Sequence, residues 1–184
     1  MNNKQLFVLV GACVISVALR FAEIPIWNVG SMAALSILCG AVIRHPAGIL
    51  LPLAIRLLTD SLLHAKTGYG FFSSWPFDYS AYIVIFFFVG RNVTPGRTGT
   101  VVGGSLASIA IYFLVSNFGV WMMETYYPHT AAGLVQCLIA GIPFAKGTLI
   151  GNMLFAPAFF FAWSAATGTL PAAKSAGNTA ALED

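Results

Sequence analysis

The sequence predicts an all-α integral membrane protein, with six transmembrane helices plus a short outer or re-entrant helix in one bundle. Three observations predict it. The 184 residues are 58% hydrophobic and only 8% charged, against roughly 25% charged in soluble domains. Mean hydropathy is +0.83, and the apolar residues fall in long unbroken blocks. Nine Lys and Arg with six Asp and Glu cannot coat a globular surface of this size, and the composition is far too apolar for disorder. Unbroken blocks also argue against a membrane barrel, whose strands alternate apolar and polar residues over about ten positions.

Each block takes its limits from local chemistry. The first helix covers residues 5–22. Lys4 before an apolar run mimics a secretory signal, but no small-x-small cleavage site follows, so the helix is expected to be retained. A polar turn at 23–28 leads to a second helix at 29–43. Arg44-His45-Pro46 stops it, because proline lacks an amide donor and disfavours helix in the residue before it. The third helix, 47–63, is expected to kink at Pro52. A Gly-, Ser- and aromatic-rich loop (64–76) precedes a fourth helix at 77–90. The turn 91–97 leads to a fifth, 98–123. A short apolar stretch, 131–142, ends at Pro143. Twelve helical residues reach about 18 Å, short of a ~30 Å hydrocarbon core, so this piece reads as re-entrant. The last span is 148–167. Residues 1–167 form one transmembrane domain, and 168–184 read as a disordered cytoplasmic tail.

Six crossings put both termini on one side. Lys4, Arg44, Arg91, Arg97 and Lys174 share that side, which the positive-inside rule makes cytoplasmic. The expected location is a bacterial inner membrane. The opposite side collects Glu23, Lys66, Asp78, Glu124, His129 and Lys146 with many Trp and Tyr residues. An interfacial belt accounts for part of that aromatic crowding. A net charge of +3 with no basic run argues against nucleic-acid binding. Cys13, Cys39 and Cys137 are widely spaced in apolar surroundings and read as buried thiols, with no metal site expected.

The costly residues are the informative ones. Arg56, Asp60 and His64 recur every four positions and share one face of the third helix. An ion in hydrocarbon costs several kcal/mol unless it pairs or faces a wet cavity. Two readings follow: an Arg56–Asp60 pair that only orients the helix, or the polar floor of an outward-facing ligand cavity. Asn117, Trp121 and Glu124 make a second stripe near the end of the fifth helix. Arg20 and Glu23 form a possible pair closing the first. Gln136, Cys137, Lys146 and Asn152 flank Pro143, where a broken helix is tolerated if it lines a cavity. Small residues at spacing four let helices approach closely. Gly99, Gly103 and Ala107 are expected to pack within the chain. Ala12, Ser16, Ala18 and Ala22 fit either internal packing or docking on another membrane subunit. No Walker loop, His-Glu-x-x-His or Gly-x-Ser-x-Gly motif occurs, so no enzyme activity is expected.

The block Asn28-Val-Gly-Ser-Met-Ala-Ala, the stretch from Pro52 to Asp60-Ser61, Ser116-Asn-Phe-Gly-Val-Trp121, Tyr127-Pro-His-Thr130 and Gly141-Ile-Pro-Phe144 resemble an uncharacterised bacterial family of transport proteins. The plan is also similar to the substrate-capture (S) components of energy-coupling-factor vitamin transporters. That resemblance implies a six-helix protein that binds a vitamin-like small molecule from outside. It also implies docking, through small residues of the first helix, on a transmembrane coupling subunit driven by ATPases. A solitary cobalamin-type S component is the nearest specific analogue, which makes a corrinoid a possible transported ligand. Asp60, Tyr79 and Lys146 would then surround the pocket. Members of that type often carry a cobalt-ligating cysteine in the loop between the third and fourth helices. Ser73 and Ser74 stand here instead, leaving His64, His129 or Cys137 as substitutes. The expected binding set is Asn28, Arg56, Asp60, His64, Tyr79, Asn117, Trp121, His129, Gln136 and Lys146. A structural subunit of a membrane complex and an intramembrane enzyme are the alternatives.

Overall fold

The computed structural model describes residues 1–22 and 28–169, and these form helices with no strand among them. The helices are α1 (Asn3–Phe21), α2 (Met32–Val42), α3 (Leu50–Thr67), α4 (Trp75–Val84), α5 (Thr98–Met123) and α6 (Ala131–Thr167). Four runs are long and apolar enough to cross a membrane: α1, α3 with its lead-in turn, α5 and α6. Glu23, Trp27, Lys174 and the tail from residue 170 lie outside the described residues.

Local chemistry explains the ends. Asn2 and Gln5 form a reciprocal capping box on α1, with bonds of 2.9 and 2.8 Å, which satisfies amides that the first turn leaves open. A 3-10 turn, Pro46–Ile49, leads into α3. Pro52 falls in the first turn of the α-helix, where its missing amide is one of the orphan donors anyway, so it is a helix starter and not the expected mid-span kink. α4 continues through a π-helical turn, Ile85–Val89, in which the Gly90 amide bonds back to the Ile85 carbonyl.

α6 corrects the sequence reading most. The expected short helix and last span are one 37-residue helix with Pro143 and Pro157 inside it. An internal proline costs a helix about 3 kcal/mol, but packing on both sides of Pro143 holds the helix to its course. Before it, the Cys137 thiol donates to the Asn117 carbonyl at 3.3 Å. After it, the Asn152 amide donates to the Ser105 carbonyl at 2.9 Å. Between them Gly151 lies so close to the Gly30 backbone that a Cβ has no room.

The core is built around α2. Ten of its eleven residues, Met32 to Ala41, are buried, although about 16 Å of helix is half a membrane crossing. Phe86 and Ile85, both fully buried, belong to the π turn that packs on it. The approach is closest at Gly40 and Gly90. A Cβ at Gly90 would sit 2.9 Å from both the Gly40 Cα and the Ile37 carbonyl oxygen.

Two small-residue stripes also fall differently. Gly99, Gly103 and Ala107 are exposed, and the inward seam of α5 lies beside them at Val101, Ser105 and Ser108. Ser105 and Ser108 donate to the carbonyls of Val101 and Gly104, four residues back. On α1, Ala12 and Ser16 are buried. Ser16 donates to the Ala12 carbonyl and shares a 2.8 Å hydrogen bond with Ser31, so this pair is engaged inside the chain and is not a free docking face. Ala18 and Ala22 are exposed.

Candidate functional site

Helices that alternate in direction bring the ends of α1, α3 and α5 together with the starts of α2, α4 and α6. At this end lies an ion cluster centred on Asp60, whose side chain is 1% exposed. Arg20 of α1 donates to one carboxylate oxygen. Arg56, one turn earlier on α3, donates to the other at 2.7 Å, and the Tyr79 hydroxyl of α4 donates to the same atom at 3.0 Å. Asp60 therefore ties three helices together. Spacing of four explains the Arg56 contact. The other two follow from packing.

Arg56 also turns away from Asp60. Its guanidinium lies 3.9 Å from an Asp78 oxygen, 3.4 Å from the Tyr82 hydroxyl and 5.8 Å from the centre of the Tyr82 ring. Tyr82 stacks on Tyr112 of α5, with centroids 5.3 Å apart. Two guanidinium groups face two carboxylates, Asp60 and, at the far side of Arg56, Asp78.

Two chambers open beside this cluster. The larger has a volume of about 600 Å³, and the smaller about 290 Å³. Arg20, Asn28, Arg56, Tyr112 and Thr148 line both, so these residues form a shared neck where the two adjoin. Tyr69, Phe72, Phe113, Tyr126, Tyr127 and Phe144 give the larger chamber an aromatic wall, with Asp78 and Glu124 as its acids. Among the described residues, none that lines the smaller chamber is acidic. Asn28, the one non-glycine with positive φ among the described residues (63°), stands where the chain turns into α2. Asn is among the residues that tolerate that conformation.

The expected binding residues divide. Asn28, Arg56 and Asn117 line the chambers, and Asp60 and Tyr79 stand behind the neck through the ion cluster. Asn117 itself donates to the Phe113 carbonyl at 2.7 Å and packs on Gly141. The remaining residues do not line either chamber. His64 is exposed against Phe71, with centroids 5.9 Å apart. Trp121 donates to the Pro128 carbonyl at 3.0 Å and contacts the His129 ring, so both brace the 124–130 connection. Gln136 and Lys146 are exposed on α6. Among the described residues no three His, Cys, Asp or Glu side chains gather as a metal-binding group.

Sequence reasoning missed Arg20 as the partner of Asp60 and missed Asp78, Tyr82, Tyr112 and Thr148. Arg20 had a nearer acid, Glu23, three positions along. Tyr82 and Tyr112 look like ordinary apolar-face aromatics until their helices meet. The profile of a family of unknown function, DUF6580, matches residues 1–173. The chain belongs to the DUF6580 family. The DUF6580 match contains the whole ion cluster and both chambers. Neither a curated protein nor a solved structure matches the chain.

Proposed function

We propose that this chain is a substrate-capture membrane protein, of the S-component kind, that takes up a small vitamin-like molecule from the non-cytoplasmic side. The observation that carries the reading is the adjoining pair of chambers at one end of the bundle, with charged side chains at the neck they share. Ligand sites are commonly concave, largely apolar and about 300–1,000 Å³, with a few convergent polar groups. A buried ion pair that serves packing alone is seldom worth its desolvation, whereas one beside a polar chamber is partly solvated. Chamber size favours a ligand of drug size over a corrinoid, which is bulkier. Lys4, Arg44, Arg91 and Arg97 lie at the opposite helix ends, and the positive-inside rule then faces the chambers outward.

Uptake requires that the ligand bind the outward and inward states with different free energy. Closing elements are at hand in the connections 68–74 and 124–130, which bring Tyr69, Phe72, Tyr126 and Tyr127 to the larger chamber. All three donors on Asp60 suit holding a geometry more than transferring a proton. Thermal unfolding of purified protein against a vitamin panel tests the reading, because a ligand that binds the folded state raises its stability by mass action. Stabilisation by at least one compound, lost in Arg56→Met, is the expected result. No stabilisation by any compound, with normal vitamin uptake by cells carrying Arg56→Met, overturns it.

A second reading, as a subunit of a membrane complex, draws support from Lys146. It is exposed part-way along α6, among outward-facing Ile142, Leu149 and Ile150. A cation in an apolar stripe is costly unless it snorkels or meets an acid. Copurification of a stoichiometric partner, lost in Lys146→Leu, would favour this reading.

A further inference from the structure

The two chambers differ in charge, and that difference specifies half of a ligand. Arg20 and Arg56 both line the smaller chamber, and among the described residues no carboxylate does. Asp60 lies behind them, fully engaged with three donors. Asp60 and Asp78 together match the two guanidinium charges, but neither carboxylate lines the smaller chamber, so the charged groups it presents are cationic. The nearest other acid, Asp78, faces the larger chamber, 3.9 Å from Arg56.

Hydrogen bonding at Arg20 points the same way, because its Nε, a donor, is buried with no hydrogen-bond partner. Asn152 Oδ1, also without a partner, is an acceptor and calls for a donor such as a water. Both residues line the smaller chamber. Buried polar groups in folded proteins are nearly always satisfied, and an orphan calls for a water or a ligand. A guanidinium offers donors in a planar fork suited to carboxylate or phosphate oxygens.

We infer that the smaller chamber is an anion subsite: it takes the carboxylate or phosphate end of a ligand whose flat apolar body lies in the larger, aromatic chamber. The inference rests on the capture reading and narrows it to organic anions. The neck residue Thr148 lies where head and body would join. The headgroup source is either a soluble organic acid or an anionic lipid.

The test uses the full chain in phosphatidylcholine nanodiscs. The probes are matched pairs, benzoate with benzamide and indole-3-acetate with indole-3-acetamide, read by thermal shift and tryptophan fluorescence. The acid of a pair is expected to bind about tenfold or more tightly than its amide, the scale of one charge-assisted hydrogen bond. Arg20→Gln should bring the two within about twofold, and Arg20→Lys should restore part of the preference. Thr148→Asp, which leaves the ion cluster intact, should abolish acid binding and spare the amide. A parallel arm replaces part of the lipid with phosphatidylglycerol. Stabilisation by that lipid, erased by Arg20→Gln, places a lipid headgroup in the subsite. Equal binding of acid and amide, or an acid preference untouched by both substitutions, overturns the subsite and leaves the capture reading standing. No response to any probe or lipid also overturns the subsite, and the capture reading is then decided by the vitamin panel.

Discussion

Arg20 of α1 and Asp60 of α3 meet as an ion pair across forty positions of sequence. The pair fixes the end of α1 to α3 at the level where the chambers open. Because Arg56 and Tyr79 also converge on Asp60, a single carboxylate sets the relative positions of three helices.

Asp60→Ala is expected to be the most damaging polar substitution in the chain. It leaves Arg56 buried beside a void and frees Arg20 and Tyr79. Removing one member of a buried pair costs about 3–5 kcal/mol. Arg20→Ala should cost less, because its side chain is 25% exposed and Asp60 keeps two donors. Thermal unfolding in detergent should rank Asp60→Ala well below Arg20→Ala, and equal midpoints would refute the shared-carboxylate account.

Gly40→Ala tests the contact between α2 and the π turn. Its new methyl would press on the Phe86 carbonyl and the Gly90 backbone, which cannot swing aside as a side chain can. Overpacking of this kind costs about 1–3 kcal/mol. Gly11 has nothing within 4 Å of its would-be Cβ and lies inside α1. Gly11→Ala should therefore be neutral or stabilising by up to about 1 kcal/mol, a contrast that unfolding midpoints can show directly.

Cysteine labelling probes the cavity. Cys137 is 2% exposed yet lines the larger chamber, whereas Cys39 is 0% exposed within the buried run of α2 and lines neither chamber. In single-cysteine variants a small water-soluble thiosulfonate should modify Cys137 well before Cys39. A bound ligand should slow the reaction at Cys137 alone. Equal rates at both positions would mean that the chamber is closed to water.

Trp121→Phe removes the indole donor to the Pro128 carbonyl and keeps an aromatic ring beside His129. One hydrogen bond contributes about 1 kcal/mol, so global stability should barely change. Local opening is the sensitive readout. Amide hydrogen exchange at 124–130 should quicken several-fold, with the rest of α5 unaffected. Unchanged exchange there would mean that the indole does not brace this connection.

The helical class and the limits of α1 and α5 were legible because unbroken apolar blocks and the 91–97 turn are properties of adjacent residues. Arg56 and Asp60 were legible for the same reason, being one turn apart. Pro143 misled because proline's local preference is real, and only contacts with α5 and with Gly30 outweigh it. The stripe at Gly99, Gly103 and Ala107 misled because small residues do not say which side faces a neighbour, and the buried seam lies beside them. Arg20 and the Tyr82–Tyr112 stack were hidden because each depends on which helices become neighbours.

An eleven-residue helix wrapped on all sides by its own chain has a consequence for biogenesis. α2 is too short to partition from the translocon into lipid as an independent anchor. It has to wait beside α1 until α4, α5 and α6 are synthesised and close around it. Chains truncated after α3 should consequently be substrates for membrane quality-control proteases, whereas chains that keep α6 through Thr167 should still assemble.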